Sequence, residues 1–532
     1  MLLSSLLLLS FLFPTTVSSH RAAGDTRPNI ILYIPDTIRA ESLSAYGHPF
    51  ISTPNTDRLS KRSVLFDQAH VQHTQCSPSR EAILSGRYLH VLGHRTQTHL
   101  LQNKEPNVFR YLKESGYATV MVGKNDMLSA DSFNSSFSYW DQVLGVGDGG
   151  SPYSYGDPGY YSFLSSASSH NGSDPAHNQD LSAVQTVSQW LQMDPPEPFA
   201  IWVSGIGAHP PYGAPKDYFD LYTPAQIKEK APLRPYSASA NKPAFIGPGG
   251  IPGFRDLNSF DDSFFEKIAS IYLGRVAYMD FVLGQLLDGL DAAPSSIANN
   301  TAFIFTSDHG DFSGDWHNVE KYPCALDDVL TRVPLLISYP QGGLSNVRVP
   351  GPVESLDLFA TLLDMAGILG NETTGIERHF AQTLLPFITG DASAVPRKWV
   401  FSEAGYAPGT FEMEPLDPAQ ASQYADKKNL YYPRGTEEMT TGHCTHAVMV
   451  RNATVKMVYR RAPGASELYD LTSDPQELQN QFGNARYAAA QAEMTADLLD
   501  WLVDTSDITP LIEDDRGPPP KPVTPPFPWP TG

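Results

Sequence analysis

Five short apolar runs constrain the fold of this chain more than any other feature. NIILYI (29–34) ends at Pro35-Asp36, YATVMV (117–122) at Gly123-Lys124, FAIWVS (199–204) near His209, and AFIFTS (302–307) at Asp308-His309. VPLLIS (333–338) has the same character. Runs that are apolar on both faces, separated by long helical stretches, predict buried strands of a mainly parallel sheet. Helical periodicity marks residues 106–115, 180–192, 263–289 and 355–367. Open α/β sheets bind ligands beyond the carboxyl ends of their strands. Four of the five runs deliver charged or imidazole groups at that end, which predicts an active site there.

Other segments read differently. Residues 145–180 and 232–260 are rich in Gly, Ser, Pro and Tyr and predict long surface insertions that shape a cleft. Beyond about residue 400, WVFSEAG, HAVMVRNATVKMVYR and ELYDL predict short antiparallel strands, and residues 484–503 a terminal helix. The tail GPPPKPVTPPFPWPTG is proline-rich, a composition that predicts an extended or disordered segment. The expected organisation is a leader (1–19), an α/β domain (25–398), a smaller α+β domain (399–508) and the tail (509–532).

The 532 residues carry 37 basic and 58 acidic side chains, a net charge of −21. A chain this acidic is a poor general ligand for nucleic acid or an anionic membrane, so any anionic substrate must be held by local Lys and Arg. The N-terminus MLLSSLLLLSFLFPTTVSSH has an apolar core of about 13 residues, the size of a signal-peptide core and short for a bilayer span. No Lys or Arg precedes it, and no later stretch reads as transmembrane, so no membrane span is expected after cleavage. Sequons at Asn134, Asn171, Asn299, Asn371 and Asn452 agree with a secreted or lysosome-like destination. The three cysteines are Cys76, Cys324 and Cys444. An odd count leaves one thiol unpaired in an oxidising compartment; if Cys76 is chemically special, Cys324 and Cys444 are free to pair.

The stretch QCSPSREAILSGRYLH (75–90) places Cys76 at the start of a helical pattern. Ser77 is a candidate cap and Pro78 a favoured early helical residue. Helix N-termini favour anions, which predicts an acidified, reactive thiol, and Arg80 lies four residues on, over the same face. The sequence Cys76-Ser77-Pro78-Ser79-Arg80, continuing to Ser85-Gly86-Arg87, resembles the signature of the type I sulfatases. Further motifs extend the resemblance in order along the chain. They are Arg27-Pro28-Asn29, Asp36-Thr37-Ile38-Arg39, Gly123-Lys124, Ala208-His209-Pro210-Pro211-Tyr212, Thr306-Ser307-Asp308-His309-Gly310-Asp311, Lys321, and Glu467-Leu468-Tyr469-Asp470-Leu471 with Asp474-Pro475.

The resemblance implies an alkaline-phosphatase-like α/β fold and sulfate ester hydrolysis. It implies that Cys76 is oxidised to Cα-formylglycine by a formylglycine-generating enzyme during maturation. The aldehyde hydrate attacks sulfur, and the sulfated hemiacetal collapses to expel sulfate. One Ca²⁺ is implied, held by Asp36, residue 76, Asp308 and His309. Lys124 and Lys321 would bind the sulfate oxygens and Arg80 the formylglycine. His209 would protonate the leaving oxygen. His94 is a further candidate to face substrate; Arg95, His73 and His317 lie near these motifs. The implied substrate is a sulfated small molecule or glycan.

Two positions depart from the common family pattern. Thr37 stands where many relatives carry a second acid. Asp126, in Gly123-Lys124-Asn125-Asp126, stands where the common pattern has a histidine that contacts the formylglycine hydroxyl. Asp126 is therefore a candidate base. Competing functions are a phosphate or phosphonate monoesterase of the same superfamily and a non-catalytic secreted glycan-binding protein.

Overall fold

The structure is a computed structural model that describes residues 25–142, 151–166, 172–173, 178–370, 375–405, 426–434, 444–462 and 464–506. Among these residues, nine strands form the central sheet: β1 (Asn29–Pro35), β2 (Val64–His70), β3 (Ala118–Gly123), β4 (Tyr139–Gln142), β5 (Phe199–Gly205), β6 (Thr301–Thr306), β7 (Arg332–Val333), β8 (Leu335–Ser338) and β9 (Val347–Glu354). The strands β4, β3, β5, β1 and β6 lie side by side and parallel. Beyond β6 the sheet continues through β8 to β2, with β9 also paired to β2.

The pattern of β1 explains the layering. Ile31 and Tyr33 point into one buried layer, and Ile30, Leu32 and Ile34 into the other. The first layer is closed by the helices Gln179–Leu191 and Asp262–Asp291, the second by Cys76–Ser85, Val108–Glu114 and Asp357–Met365. Each Ile or Leu fully buried this way contributes about 1.5–3 kcal/mol. Asp261 starts the longest helix by accepting the Ser263 N–H at 3.1 Å.

The VPLLIS run does not form one parallel strand. It is split at Pro334, which has no N–H to donate, into β7 and β8, both antiparallel to β2. The pattern also misses β2, β4 and β9, whose sequences mix polar and apolar residues. A second, four-stranded antiparallel sheet consists of β10 (Val400–Ala404), β11 (Ala447–Arg451), β12 (Val455–Arg460) and β13 (Glu467–Asp470), in sequence order. The helix Ala488–Ser506 packs Met494, Leu498 and Trp501 against Phe401, Val450 and Met457 of that sheet. Backbone ties join the two sheets: Phe401 N–H donates to Glu354 Oε1 at 2.7 Å, and Glu403 N–H to Gln72 O at 2.8 Å.

A disulfide joins Cys324 to Cys444, with Cα atoms 5.2 Å apart. Asn134 and Asn299 are exposed, and Asn452 is half-buried in the turn between β11 and β12. The leader, the proline-rich tail, Asn171 and Asn371 lie outside the described residues. Among those described, no helix is long and apolar enough to cross a membrane.

Candidate active site

The strand order brings five loops to one edge of the sheet. β1, β3, β5 and β6 are parallel. β2 shares their direction because β8 is antiparallel to both β6 and β2. Asp36, Lys124, His209, Asp308 and Cys76 therefore follow strands that end on the same side. Two glycines permit the close approach. A Cβ on Gly123 (φ 107°) would sit 1.8 Å from Ser204 O, and one on Gly207 (φ 63°) 2.1 Å from Asp36 O.

Cys76 opens the helix Cys76–Ser85, as its sequence predicts, but the residue before the helix is Gln75 and its side chain makes no cap bond. Ser77 is not the cap; its hydroxyl donates to Gln97 O at 3.4 Å. The expected acidification of the thiol is overturned. Cys76 is 1% exposed, and burial, reinforced by the Asp36 carboxylate, pushes its pKa up to about 12 against the opposing Lys124 and Lys321. The helix end does not outweigh the loss of water. Residue 76 is held as a neutral thiol.

Around it lies a buried set of ligating atoms. Those of Asp36, Cys76, Asp308 and His309 all fall within 4.8 Å of one another. His309 Nδ1 faces Gly310 O at 2.8 Å and so carries the proton. Its Nε2 then turns a lone pair toward Cys76 Sγ at 3.3 Å, Asp36 Oδ1 at 3.5 Å and Asp308 Oδ1 at 3.9 Å. Burial holds His309 below the ordinary imidazole range, with Lys321 adding to the effect, so that nitrogen stays unprotonated. Electron-rich atoms at such spacings form the edges of a coordination shell whose metal–oxygen distance is about 2.4 Å. The two carboxylates and the imidazole lone pair fit a divalent cation, and an oxygen in place of the thiol at position 76 would complete a hard ligand set. Thr37 ties the two carboxylates of this set together. Its hydroxyl donates to Asp36 Oδ1 and its N–H to Asp308 Oδ1 at 3.1 Å, which orients both carboxylates. It does so at φ 68°, a strained value for a β-branched residue and a common mark of a functional loop.

Cations enclose this set. Arg80 is fully buried; its Nε donates to Asp308 Oδ2 at 2.8 Å, and its NH2 nitrogen lies 2.7 Å from Asp308 Oδ2 and 3.4 Å from Asp36 Oδ2. Another guanidinium nitrogen donates to Ser204 Oγ. Lys124 Nζ lies 2.7 Å from Asp36 Oδ2, 2.7 Å from Asp126 Oδ2 and 3.8 Å from Cys76 Sγ. Burial alone would raise the Asp36 pKa, but Lys124 and the other cationic groups overcome it and hold the carboxyl well below its usual range. Burial alone would lower the Lys124 pKa, but Asp126 and Asp36 hold it well above the ordinary lysine range.

Lys321 and His209 form a second element. Lys321 Nζ lies 2.7 Å from His209 Nε2, and His209 Nδ1 donates to Pro210 O at 2.6 Å. Burial, and then Lys321, keep His209 well below the imidazole range, so it is neutral and accepts from the lysine. His94 is not joined to this cluster by any of its described contacts. Its ring nitrogens face His99 O at 2.6 Å and Glu105 at 3.0 Å. His317 stacks between Tyr236 and Phe265, with ring centroids 4.4 and 4.1 Å away. Sequence reasoning missed Ser204, Glu320, Tyr431 and Arg434. Ser204 ends a recognised strand run, whereas the other three have no local signal.

Known proteins of similar sequence and fold identify the family. The model of the Sulfatase family matches residues 28–368. An N-acetylglucosamine-6-O-sulfatase of Bacteroides thetaiotaomicron is 22% identical, covering 88% of this chain and 85% of the relative. A choline-sulfatase of Rhizobium meliloti is 24% identical, covering 88% and 85%. In fold, the chain is similar to the phosphonate monoester hydrolase of Agrobacterium radiobacter, with TM-score 0.70, 22% identity and coverage of 90% of this chain and 96% of that one. It is also similar to a protein solved with its substrate D-glucosamine-2-N,6-O-disulfate, with TM-score 0.64, 18% identity and coverage of 90% and 98%. A family match over more than half of the chain, on an alkaline-phosphatase-like sheet whose strand ends gather these residues, places the protein among the sulfatases, enzymes that hydrolyse sulfate esters.

Proposed function

We propose that this sulfatase cleaves sulfate monoesters of small molecules or glycans, using residue 76 after its conversion from cysteine to Cα-formylglycine. The observation that carries the reading is the burial of position 76 among two carboxylates, an imidazole lone pair, Arg80 and Lys124. A thiol pushed up to about 12 is a poor nucleophile there, whereas an oxygen at the same position, with Lys124 Nζ 3.8 Å away and a divalent cation neutralising the two carboxylates, would be stabilised as an anion. Formylglycine would supply that oxygen as a hydrate hydroxyl, with sulfate later expelled as the aldehyde returns. Asp36, Asp308, His309 and residue 76 would hold one Ca²⁺, which when bound supplies Lewis acidity at the sulfate oxygens.

The chain's own groups do the rest. Arg80 neutralises Asp308 and Asp36 and keeps their oxygens aimed at residue 76. Lys124 bridges Asp36 to Asp126, so its ammonium is held beside the sulfate position; Asp126 acts by orienting Lys124. Lys321 binds a sulfate oxygen and shares its proton with His209 Nε2, from where the proton passes to the leaving oxygen. The net reaction takes up one water and releases the alcohol and sulfate. The leader-like N-terminus, the sequons and the Cys324–Cys444 bond support passage through the secretory route, where the formylglycine-generating enzyme would act.

The test is a mass spectrum of peptide 63–80 from protein secreted by a eukaryotic host, together with turnover of 4-nitrophenyl sulfate and 4-nitrophenyl phosphate. An aldehyde at position 76 with dominant sulfate turnover is expected. An intact thiol, in a host that converts a control sulfatase, overturns the nucleophile. Dominant phosphate turnover overturns the substrate class.

A further inference from the structure

Residues 426–434 lie between β10 and β11 in sequence, outside every sulfatase motif, yet they reach both halves of the Lys321–His209 pair. Arg434 NH2 lies 2.6 Å from Glu320 Oε1, and Arg255 NH2 holds the other oxygen, Oε2, at 3.0 Å. Glu320 is fully buried, at φ 65°, a left-handed value that a non-glycine residue holds only when its surroundings enforce it. Its N–H donates to Tyr212 Oη at 2.6 Å, and its carbonyl accepts from Phe312 N–H at 3.0 Å. Glu320 is thus tied through side chain, N–H and carbonyl, and the next residue is Lys321.

On the other half, Tyr431 Oη donates to Pro210 O at 3.2 Å. The same carbonyl accepts the His209 Nδ1 proton. Tyr431 therefore holds the atom that sets the tautomer of His209 and leaves Nε2 free to take the Lys321 proton. The segment is itself anchored. Tyr161 Oη donates to Lys427 O at 2.7 Å, Tyr160 Oη donates to Lys428 O, and the Phe163 ring packs 5.0 Å from that of Tyr431.

We propose that residues 426–434 form a strap that completes the catalytic centre, with Arg434 and Tyr431 as positioning residues for the proton-donating Lys321–His209 pair. This rests on the sulfatase reading above. The strap acts through Glu320 and the Pro210 carbonyl rather than on substrate. Its loss should misalign proton delivery, and the harm should grow with the basicity of the leaving oxygen. A nitrophenolate leaves well unprotonated; an ordinary phenolate or alkoxide does not.

The test compares the full-length, formylglycine-bearing enzyme with its Arg434→Met and Tyr431→Phe variants. Tyr431→Phe removes one hydroxyl and retains the packing if the charge variant fails to fold. Turnover is read on 4-nitrophenyl sulfate and phenyl sulfate, and inorganic sulfate binding by calorimetry. For Arg434→Met, kcat should fall about 10-fold on the nitrophenyl ester and about 100-fold on the phenyl ester, within the span that positioned proton transfer supplies. Tyr431→Phe should show the same inequality in smaller measure. Sulfate should bind several-fold more weakly to Arg434→Met. Equal losses on the two esters, or no loss, overturn the proposal. If the parent enzyme turns over neither ester, its substrate reading fails separately; the strap is then judged on sulfate affinity, and unchanged affinity overturns it.

Discussion

His309 Nε2 lies 3.3 Å from Cys76 Sγ, although the two residues are 233 positions apart. The imidazole carries its proton on Nδ1, so the thiol meets a lone pair and donates its own proton to it. Burial, reinforced by the Asp36 carboxylate, keeps the sulfur neutral and makes the unconverted protein chemically quiet at position 76.

That leads to a reactivity prediction. Protein made without formylglycine-generating activity should resist iodoacetamide at Cys76. A thiol near 12 has about 10³-fold less thiolate at pH 8 than an ordinary cysteine. Alkylation followed by peptide mass spectrometry, native against urea-unfolded, should show at least about 10²-fold slower labelling in the native state. Equal rates would show that the site is open and the thiol acidic.

Calcium should stabilise the fold. With two buried carboxylates and a neutral imidazole as ligands, added Ca²⁺ at 100 times its dissociation constant should contribute about 2.7 kcal/mol. Chelation should lower the melting temperature and abolish ester turnover, and Ca²⁺ should restore both. Asp308→Asn should lose the thermal response. A melting temperature indifferent to chelator and metal would refute the ligand set.

Gly123→Ala should be harmful out of proportion to one methyl group. The new Cβ would fall 1.8 Å from Ser204 O on the neighbouring strand, at φ 107°. Strain and overpacking should together cost about 2–4 kcal/mol in denaturant unfolding. Activity should fall further, because Lys124 is the next residue. A variant as stable and active as the parent would mean that the β3–β5 approach is looser than described.

Acid sensitivity should trace in part to His73. It is fully buried, and desolvation depresses its pKa to about 3. The unfolded chain takes up this proton below about 6.5, whereas the folded chain does so only near 3. Between those values the unfolded state binds more protons, so this contribution to stability falls as pH falls, by about 1.4 kcal/mol per unit. His73→Asn keeps an acceptor for the Gln75 N–H, which His73 Nδ1 accepts at 3.1 Å, and removes the titration. The variant should gain on the parent steadily from pH 6.5 downward, measured by urea unfolding. A stability gap that does not change with pH would show that His73 ionises without penalty in the fold.

Much of the chemistry was legible in the sequence because it is carried by contiguous stretches. Runs such as NIILYI and AFIFTS are apolar on both faces and terminate in Asp36 and Asp308, so both their burial and their strand ends can be read locally. The Cys76–Arg80 stretch and the periodicity of Asp262–Asp291 are equally local. The tertiary structure decided the rest. β2 reads poorly alone, since Asp67 and Gln68 interrupt it, and only antiparallel pairing with β8 delivers Cys76 to the edge where β1 and β6 end. Helix position argued for a reactive thiol, but the burial that raises its pKa, and the Asp36 carboxylate that reinforces it, come from tertiary packing around other strand ends. Arg434 and Tyr431 carry no motif, because their roles exist only through Glu320 and the Pro210 carbonyl. A sequence determines which groups follow which strands. Packing decides which of those groups share a dry space, and a dry space is what turns ordinary carboxylates, lysines and histidines into a catalytic centre.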